Sequence, residues 1–307
     1  MTHVSVRRGM LYVTTAAAIW GTGGPAAAVL YRVSGLGPVA VSFWRFVFGA
    51  ALLFAAARLL GLGEPRPRWT GLLLVGSGLA VSQAAYFAAV AEAGVAMATV
   101  ITLGASPALV ALGARLALAE RLGRVGALSM GLALAGLLLL VGGPSAASTA
   151  GVGLALLSAV AYAGVTLHSR ASARPSVRPA VSSARDAYGT AMWGFAIGGI
   201  LLLPIAAAEG LVPSGGRGAT VALLGYLGAM PTALAYSLFF TGLSAVRATT
   251  ASVVTLLEPA GATAIGVLLL GERLTAASAA GAGVLLASVV LLALGESRGD
   301  SRPGKSG

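Results

Sequence analysis

The chain has 307 residues, of which 57% are hydrophobic and only 9% are charged. A soluble domain carries roughly 25% charged residues on its surface, so this composition excludes an ordinary soluble globule and predicts lipid as the outer solvent. The absence of Cys excludes disulfides, thiolate metal sites and a cysteine nucleophile. The net charge of +11 lies in short Arg tracts between apolar runs, which is typical of topology signals and not of a nucleic-acid interface.

Ten apolar runs of about the length that spans a bilayer follow one another along the chain. They lack the alternation of barrel strands, so the sequence predicts an all-α polytopic membrane protein. Arg7 and Arg8 before the first run are also compatible with a signal peptide. Because nine further apolar runs follow, we interpret them instead as residues that flank the first spanning helix. The predicted spans are residues 10–30, 39–60, 69–90, 95–117, 124–141, 151–167, 188–208, 219–240, 249–270 and 276–294.

The segments between and after these spans predict the topology. Residues 61–68 and 169–187 are long enough to be loops, and the polar residues 295–307 are predicted to form a disordered cytoplasmic tail. With the N-terminus inside, most basic residues fall on the inner side of the membrane. The basic residues that fall on the outer side are Arg32, Arg217 and Arg273. Because basic loops are retained in the cytoplasm, this bias predicts that both termini are cytoplasmic.

An internal repeat relates the two halves of the chain. When Ser106-Pro107-Ala108 is aligned with Glu258-Pro259-Ala260, Glu120-Arg121-Leu122 falls on Glu272-Arg273-Leu274 without a gap. Because each half contains five predicted spans, the second copy enters the membrane upside down. Inverted repeats are typical of secondary transporters, whose site lies near mid-membrane between the halves.

These features resemble the drug/metabolite transporter superfamily, and specifically its EamA-type members. The resemblance rests on Trp20-Gly21, on Phe43-Trp44-Arg45-Phe46, and on Pro107 and Pro259, each thirteen residues before a Glu-Arg-Leu turn. It implies two inverted five-helix repeats, at residues 1–145 and 146–294, around a central cavity that opens to one side at a time. It also implies export of an amino acid or related metabolite across a bacterial cytoplasmic membrane, with no cofactor.

Two charged residues lie well inside predicted spans and away from their cytoplasmic ends, where a charge marks a functional site by default. Glu258 lies mid-span and predicts a proton or substrate-amine site; a protonated, hydrogen-bonded structural glutamate is the alternative. Arg45 lies about 9 Å inside the outer end of its span, where it could bind a carboxylate. It could equally extend to the interface or pair with Glu92. At these depths a direct pair between Arg45 and Glu258 is not expected.

Pro107 and Pro259 are predicted hinges. Neither has an N–H group, so the carbonyls four residues earlier, on Leu103 and Thr255, lack their usual helical hydrogen-bond donor. Spanning helices also tolerate prolines without functional consequence. Stripes of Thr and Ser inside the spans can line a cavity, and the resemblance implies that the aromatic and amide residues below lie on cavity-facing helices; each could instead serve helix packing. With Arg45 and Glu258, the predicted substrate-binding set is Trp20, Gln83, Tyr86, Thr102, Ser106, Tyr162, Tyr236 and Thr255.

Other protein classes fit the sequence less well. An enzyme is not predicted, because nothing in the sequence brings Ser106 near His168 and no metal-ligand cluster is evident. A passive channel needs no coupling group and is the main alternative, although no charged ring or carbonyl filter is evident. A non-transporting scaffold has no use for paired broken helices. The predicted partners are a small metabolite, the lipid bilayer and, through Glu258, protons; no nucleic acid is expected.

Overall fold

The structure is a computed structural model, and over the residues it describes the chain is helical with no strands. The described residues are 4–59, 69–120, 123–141, 148–173, 183–270 and 275–300. Several predictions concern residues outside these ranges. They are the second Glu-Arg-Leu turn at 272–274, Arg121 and Leu122 of the first turn, the boundary between the halves at 145–146, and residues 301–307 of the predicted tail. Residues 295–300 of that tail are helical, as the end of the last helix.

The helices follow the predicted order and extend beyond most of the predicted ends. The first half contains α1 (Val6–Ser34), α2 (Pro38–Leu59), α3 (Trp69–Gly94), α4 (Met97–Ala117) and α5 (Arg124–Val141). The second half contains α6 (Thr149–Ser172), α7 (Ser183–Glu209), α8 (Arg217–Gly242), α9 (Ala248–Val254), α10 (Leu257–Leu270) and α11 (Ala276–Asp300). Eight of the described helices are long and apolar enough to cross a bilayer, and α5 is apolar but shorter. The all-α polytopic fold class is therefore confirmed.

The ninth predicted span is interrupted, whereas the fourth is continuous. Pro107 lies inside α4, but the chain leaves the helix between α9 and α10, three residues before Pro259. A proline cannot donate to the carbonyl four residues earlier, so the helix is weakened at this point. The Thr255 carbonyl accepts the N–H of Glu258 at 3.0 Å instead. The expectation that this carbonyl lacks a partner is therefore wrong.

Helix α8 contains a π-helical segment, Gly228–Leu234, that the sequence analysis did not predict. Pro231 lies within it and removes one backbone donor. The Thr232 hydroxyl donates to the Leu227 carbonyl at 2.7 Å, so a side chain supplies part of the missing bonding. Single π-helical turns inside α-helices are frequent at functional sites.

The helices pack as two related halves that exchange partners. Helix α1 packs on α8 and α10 of the second half, and α6 packs on the α3–α4 pair of the first half. Helix α2 packs on its counterpart α7, and α5 packs on its counterpart α11. A two-fold relation between the halves produces this reciprocity. With five spans in each half, the two copies are inverted.

The contact between α2 and α7 shows this two-fold relation at single residues. The rings of Phe46 and Phe195 lie 5.1 Å apart. Phe46 also packs over Gly198, three residues after Phe195, and Phe195 packs over Gly49, three residues after Phe46. A Cβ on Gly198 would lie 2.9 Å from the Phe46 ring, so glycine permits the close approach. Phe46 and Phe195 are therefore structural counterparts.

The outer surface of the bundle is apolar. Exposed large hydrophobic residues occur on many helices, among them Leu116, Ile200 and Leu268. A water-soluble monomer rarely exposes extended apolar surface, but a lipid-facing helix requires it. The polar side chains of the spans turn inward instead, toward a cavity between the halves.

Candidate functional site

A cavity of about 610 Å³ lies between the two halves. Its volume is within the range of small-molecule binding sites, about 300–1,000 Å³. All ten members of the predicted substrate-binding set line it: Trp20, Arg45, Gln83, Tyr86, Thr102, Ser106, Tyr162, Tyr236, Thr255 and Glu258. The structure therefore brings these residues together, while their role in binding a substrate stays a prediction.

The cavity extends from the middle of the bundle to one of its ends. Tyr31, Pro38, Val90 and Leu140 line it, and they lie where α1, α3 and α5 end and α2 begins. We call this the open end of the bundle. At the opposite end, which we call the closed end, α1 packs tightly on the segment after α8. A Cβ on Gly9 there would lie only 2.8 Å from Val246.

Glu258 lies at the helix break and faces the cavity. It is the second residue of α10 and is half-buried. Among the described residues, none hydrogen-bonds to its carboxylate. The first turn of a helix favours negative charge, because its free N–H groups form the positive end of the helix dipole. A Cβ on Gly21 would lie 2.9 Å from the Glu258 carbonyl, so glycine lets α1 approach this turn closely.

Arg45 enters the cavity from α2 and is held by the π-helical segment. Its Nε donates to the Thr232 hydroxyl at 3.4 Å, and no other described residue hydrogen-bonds to it. Within the described ranges, no ion pair joins Arg45 to Glu92, which is exposed, or to Glu258. The predicted alternative of a pair with Glu92 is therefore wrong. The charges of Arg45 and Glu258 nevertheless act on each other and on Tyr236.

Aromatic rings form the wall around these charges. Trp20 Nε1 donates to the Pro231 carbonyl at 2.8 Å, so the π-helical segment also holds this indole. The Trp20 and Tyr236 rings meet edge to face at 4.9 Å, and Tyr236 meets Phe195 in the same way at 5.1 Å. Edge-to-face pairs of this kind are among the preferred aromatic geometries, and they fix the ring positions.

Hydroxyl groups form the facing wall, on α3, α4 and α6. Tyr86 and Thr99 share a hydrogen bond of 2.9 Å, and the Thr102 hydroxyl donates to the Ala155 carbonyl at 3.2 Å. The Ser106 hydroxyl donates to the Thr102 carbonyl within its own helix at 2.6 Å. Thr99, Thr102 and Ser106 all line the cavity and therefore share one face of α4. His168 lies near Ser172 instead of Ser106.

The two charged residues have no charged counterparts in the other half. Because Phe46 and Phe195 are counterparts, Gly194 occupies the position equivalent to Arg45. In the aligned repeat, Ser106 occupies the position equivalent to Glu258. One positive and one negative side chain thus break the symmetry of the cavity.

A model of the EamA-like transporter family matches residues 7–142 and, a second time, residues 149–294. The chain belongs to the EamA-like transporter family. Family membership and the apolar helices make it a multi-pass membrane transporter with a small-molecule substrate. The family points to transport and not to catalysis.

Relatives that match along nearly the full length of the chain are also named as transporters. An uncharacterized transporter of Bacillus subtilis (strain 168), YwfM, is 30% identical over 288 residues, which is 92% of each chain. The uncharacterized inner membrane transporter YicL of Salmonella typhimurium is 27% identical over 96% of this chain and 98% of its own. A protein of known crystal structure superposes with a TM-score of 0.76 at 21% identity, over 95% of this chain and 99% of its own, and shows the same fold.

The structure adds cavity residues that the sequence analysis missed. Among them are Tyr31, Ser82, Ser158 and Pro231. Pro231 is a proline inside an apolar span, but so are Pro25 and Pro204, and it lacks the repeat pairing that singled out Pro107 and Pro259. Of the two predicted hinges, Pro259 lines the cavity, whereas Pro107 is buried and is not among the lining residues. Their role as hinges stays a prediction.

Proposed function

We propose that this EamA-family protein is a secondary transporter of the bacterial plasma membrane that exports a small zwitterionic metabolite, such as an amino acid, by alternating access. The observation that supports it is the unmatched pair of charges, Arg45 and Glu258, on one cavity of a repeated fold. Their counterparts Gly194 and Ser106 indicate that the architecture itself does not need a charge at either position. An intramembrane charge costs about 2.5–3.5 kcal/mol, so a charge without a structural task is best explained by a ligand.

The two charges match the two ends of an amino acid. Because Thr232 engages only the Nε of Arg45, the terminal amino groups of the guanidinium are available to a carboxylate in a two-bond arrangement. Glu258 supplies the opposite charge for an ammonium group. After the ammonium leaves, a proton is the simplest replacement, since a desolvated carboxylate without a partner favours its neutral form. Exchange of the substrate for a proton would then drive export.

Access to the cavity follows from the orientation that the Arg tracts predict. With both termini in the cytoplasm, the open end faces outside and the closed end faces the cytoplasm. We propose that the halves, residues 1–145 and 146–294, rock against each other about the cavity, with Pro107 and Pro259 as hinges.

Counterflow in proteoliposomes tests the transport proposal. Vesicles loaded with one amino acid are assayed at two pH values for uptake of labelled amino acids, of the corresponding decarboxylated amines and of N-acetylated acids. We expect saturable counterflow that is fastest for compounds with both an amino and a carboxyl group and much slower, but measurable, for the decarboxylated amines. Flux without counterflow would favour a passive channel, and the absence of flux for every compound would favour a scaffold.

Cysteine labelling tests the orientation separately, and the chain has no native Cys to remove. Val212, between α7 and α8, and Leu59, at the end of α2, are 80% and 86% exposed at opposite ends of the bundle. We expect Val212→Cys to react with an impermeant maleimide in intact cells, and Leu59→Cys to react only after permeabilisation. The reverse pattern would invert the orientation and with it the proposed direction of access.

A further inference from the structure

Glu120, the first residue of the repeated Glu-Arg-Leu motif, takes part in a buried ionic cluster at the closed end. Arg170, at the end of α6, donates from Nε to Oε1 of Glu120 at 3.0 Å. The two side chains are only 13% and 7% exposed. Glu120 belongs to the first half and Arg170 to the second, so the ion pair joins the halves.

The same two side chains cap two helix ends of the second half. The Ala248 N–H, at the start of α9, donates to Oε2 of Glu120 at 3.1 Å. Nη1 of Arg170 donates to the carbonyls of Leu243 and Ser244, at the end of α8, at 2.8 and 3.1 Å. Each charge has the sign that its helix end favours, a carboxylate at the N-terminus and a guanidinium at the C-terminus. We call Glu120, Arg170 and these backbone groups the clasp.

The clasp lies in line with the cavity along α4. Residues four apart share one face of a helix, and Ser106, Val110, Ala114 and Leu118 have this spacing. Ser106 lines the cavity, whereas Val110, Ala114 and Leu118 are buried and pack with Ala163 and Ala248 in an apolar cluster. The next turn carries Glu120. A ligand moving along this face from the cavity to the closed end would meet the apolar cluster first and then the clasp.

The turn that presents Glu120 is strained. Ala119 adopts the left-handed conformation, with φ 51°, where glycine is usual. The N–H of Glu120 bonds to the Ala114 carbonyl at 3.0 Å, as expected where a helix ends in this way. Strained turns persist when surrounding contacts hold them, and they cluster at switch regions. Here the contacts of Glu120 hold the turn.

From these contacts we infer that the clasp is the gate of the closed end, and that it must separate before a substrate can pass between the cavity and that end. The inference rests on the proposed alternating access. An ion pair suits this task, because its burial cost nearly offsets its attraction and water solvates both charges once they separate. An apolar contact alone would gain nothing from the entry of water.

State-dependent labelling tests the gate. Ala114→Cys reports on the buried cluster behind the clasp, and Ala27→Cys reports on the cavity wall toward the open end. Each reporter is placed in the otherwise wild-type chain and in Glu120→Gln, which keeps an acceptor for Ala248 but removes the charge. The proteins are held in nanodiscs, so that an impermeant maleimide reaches both ends and the orientation does not matter. Labelling rates are compared within each pair.

We expect Glu120→Gln to raise the labelling rate of Ala114→Cys about tenfold or more and to lower that of Ala27→Cys, because the population shifts toward a state open at the other end. Glu92→Gln, which neutralises an exposed carboxylate at the open end, is the matched control and should change neither rate. If both reporters are labelled faster in Glu120→Gln, the ion pair between Glu120 and Arg170 serves only to stabilise the structure. If neither labelling rate changes, the clasp is not a gate. Either result overturns the inference. Counterflow of the wild-type protein, measured after the same purified protein is reconstituted in proteoliposomes, decides the transport proposal independently.

Discussion

The two proline turns of the repeat, Ser106-Pro107 and Glu258-Pro259, occupy equivalent places in the two halves but differ in structure and chemistry. In the first half the helix continues through the proline, and Ser106 bonds to the Thr102 carbonyl of its own helix. In the second half the helix breaks before the proline, and the Glu258 carboxylate faces the cavity. The same place in the repeat thus carries an internally hydrogen-bonded serine in the first half and a cavity-facing carboxylate in the second half.

This difference separates what the fold needs from what the function needs. Ser106, the residue equivalent to Glu258, shows that the architecture tolerates a neutral side chain at this position. Gly194, the residue equivalent to Arg45, shows the same for the other charge. For Glu258 and Pro259, the equivalent residue of the first half serves as the control in the predictions below.

The largest effect is expected for Glu258→Gln. Loss of the carboxylate removes one partner of a desolvated charge pair with the substrate, so transport should fall about 100-fold and its dependence on pH should disappear. Counterflow at two pH values measures both. Ser106→Ala, the change at the equivalent position, should leave transport within about twofold, because its hydroxyl donates to the Thr102 carbonyl and, among the described residues, bonds to no other helix. Intact, pH-dependent transport by Glu258→Gln would contradict the role of this residue.

Arg45→Gln should raise KM for amino acids about 10- to 100-fold, because hydrogen bonds between charged groups contribute about 1.5–3 kcal/mol. Uptake of a decarboxylated amine, which has no carboxylate to bind, should not weaken in parallel. Arg32→Gln, which removes an exposed charge near the open end, is the matched control. An equal loss for the amine and the amino acid would argue that Arg45 only supports the structure.

Pro259→Ala should lower the maximal transport rate about fivefold, because alanine restores a backbone donor and lets α9 and α10 join. Pro107→Ala lies in a helix that is already continuous and should have the smaller effect. Initial rates at saturating substrate measure the difference. Equal losses in the two variants would mean that the break at Thr255–Leu256 has no special part in transport.

The smallest effect is expected for Thr232→Val. Its hydroxyl bonds to Arg45 and to the Leu227 carbonyl, so its loss should raise KM for amino acids about threefold. Thr232→Ser keeps the hydroxyl and should restore the wild-type KM. If valine and serine behave alike, the π-helical segment does not position Arg45.

Much of the fold and of the cavity could be predicted from the sequence, because a bilayer limits the possibilities. Apolar runs of spanning length place the helices, and five runs in each half require inversion. Charged residues inside a span mark a functional site, which predicts Glu258 and Arg45 on a cavity. The places of Gln83, Tyr86 and Tyr162 follow from the family resemblance.

The remaining features depend on contacts between distant segments. Whether a proline breaks its helix depends on what else satisfies the freed carbonyl, and at Thr255 this is the N–H of Glu258. The π-helical segment is held by Trp20 and Arg45 from two other helices. The clasp joins Glu120 to Arg170 only after α6 has packed on α4. No local pattern predicts such pairings.

The central claim is that the two unmatched charges serve the substrate and not the fold. It is tested most directly by a double variant, Arg45→Gly with Glu258→Ser, in which each charged residue is replaced by the residue at its equivalent position. The account predicts a protein that inserts and melts near the wild-type temperature but shows no counterflow of any amino acid. Wild-type counterflow by this variant, or its failure to fold, would contradict the account.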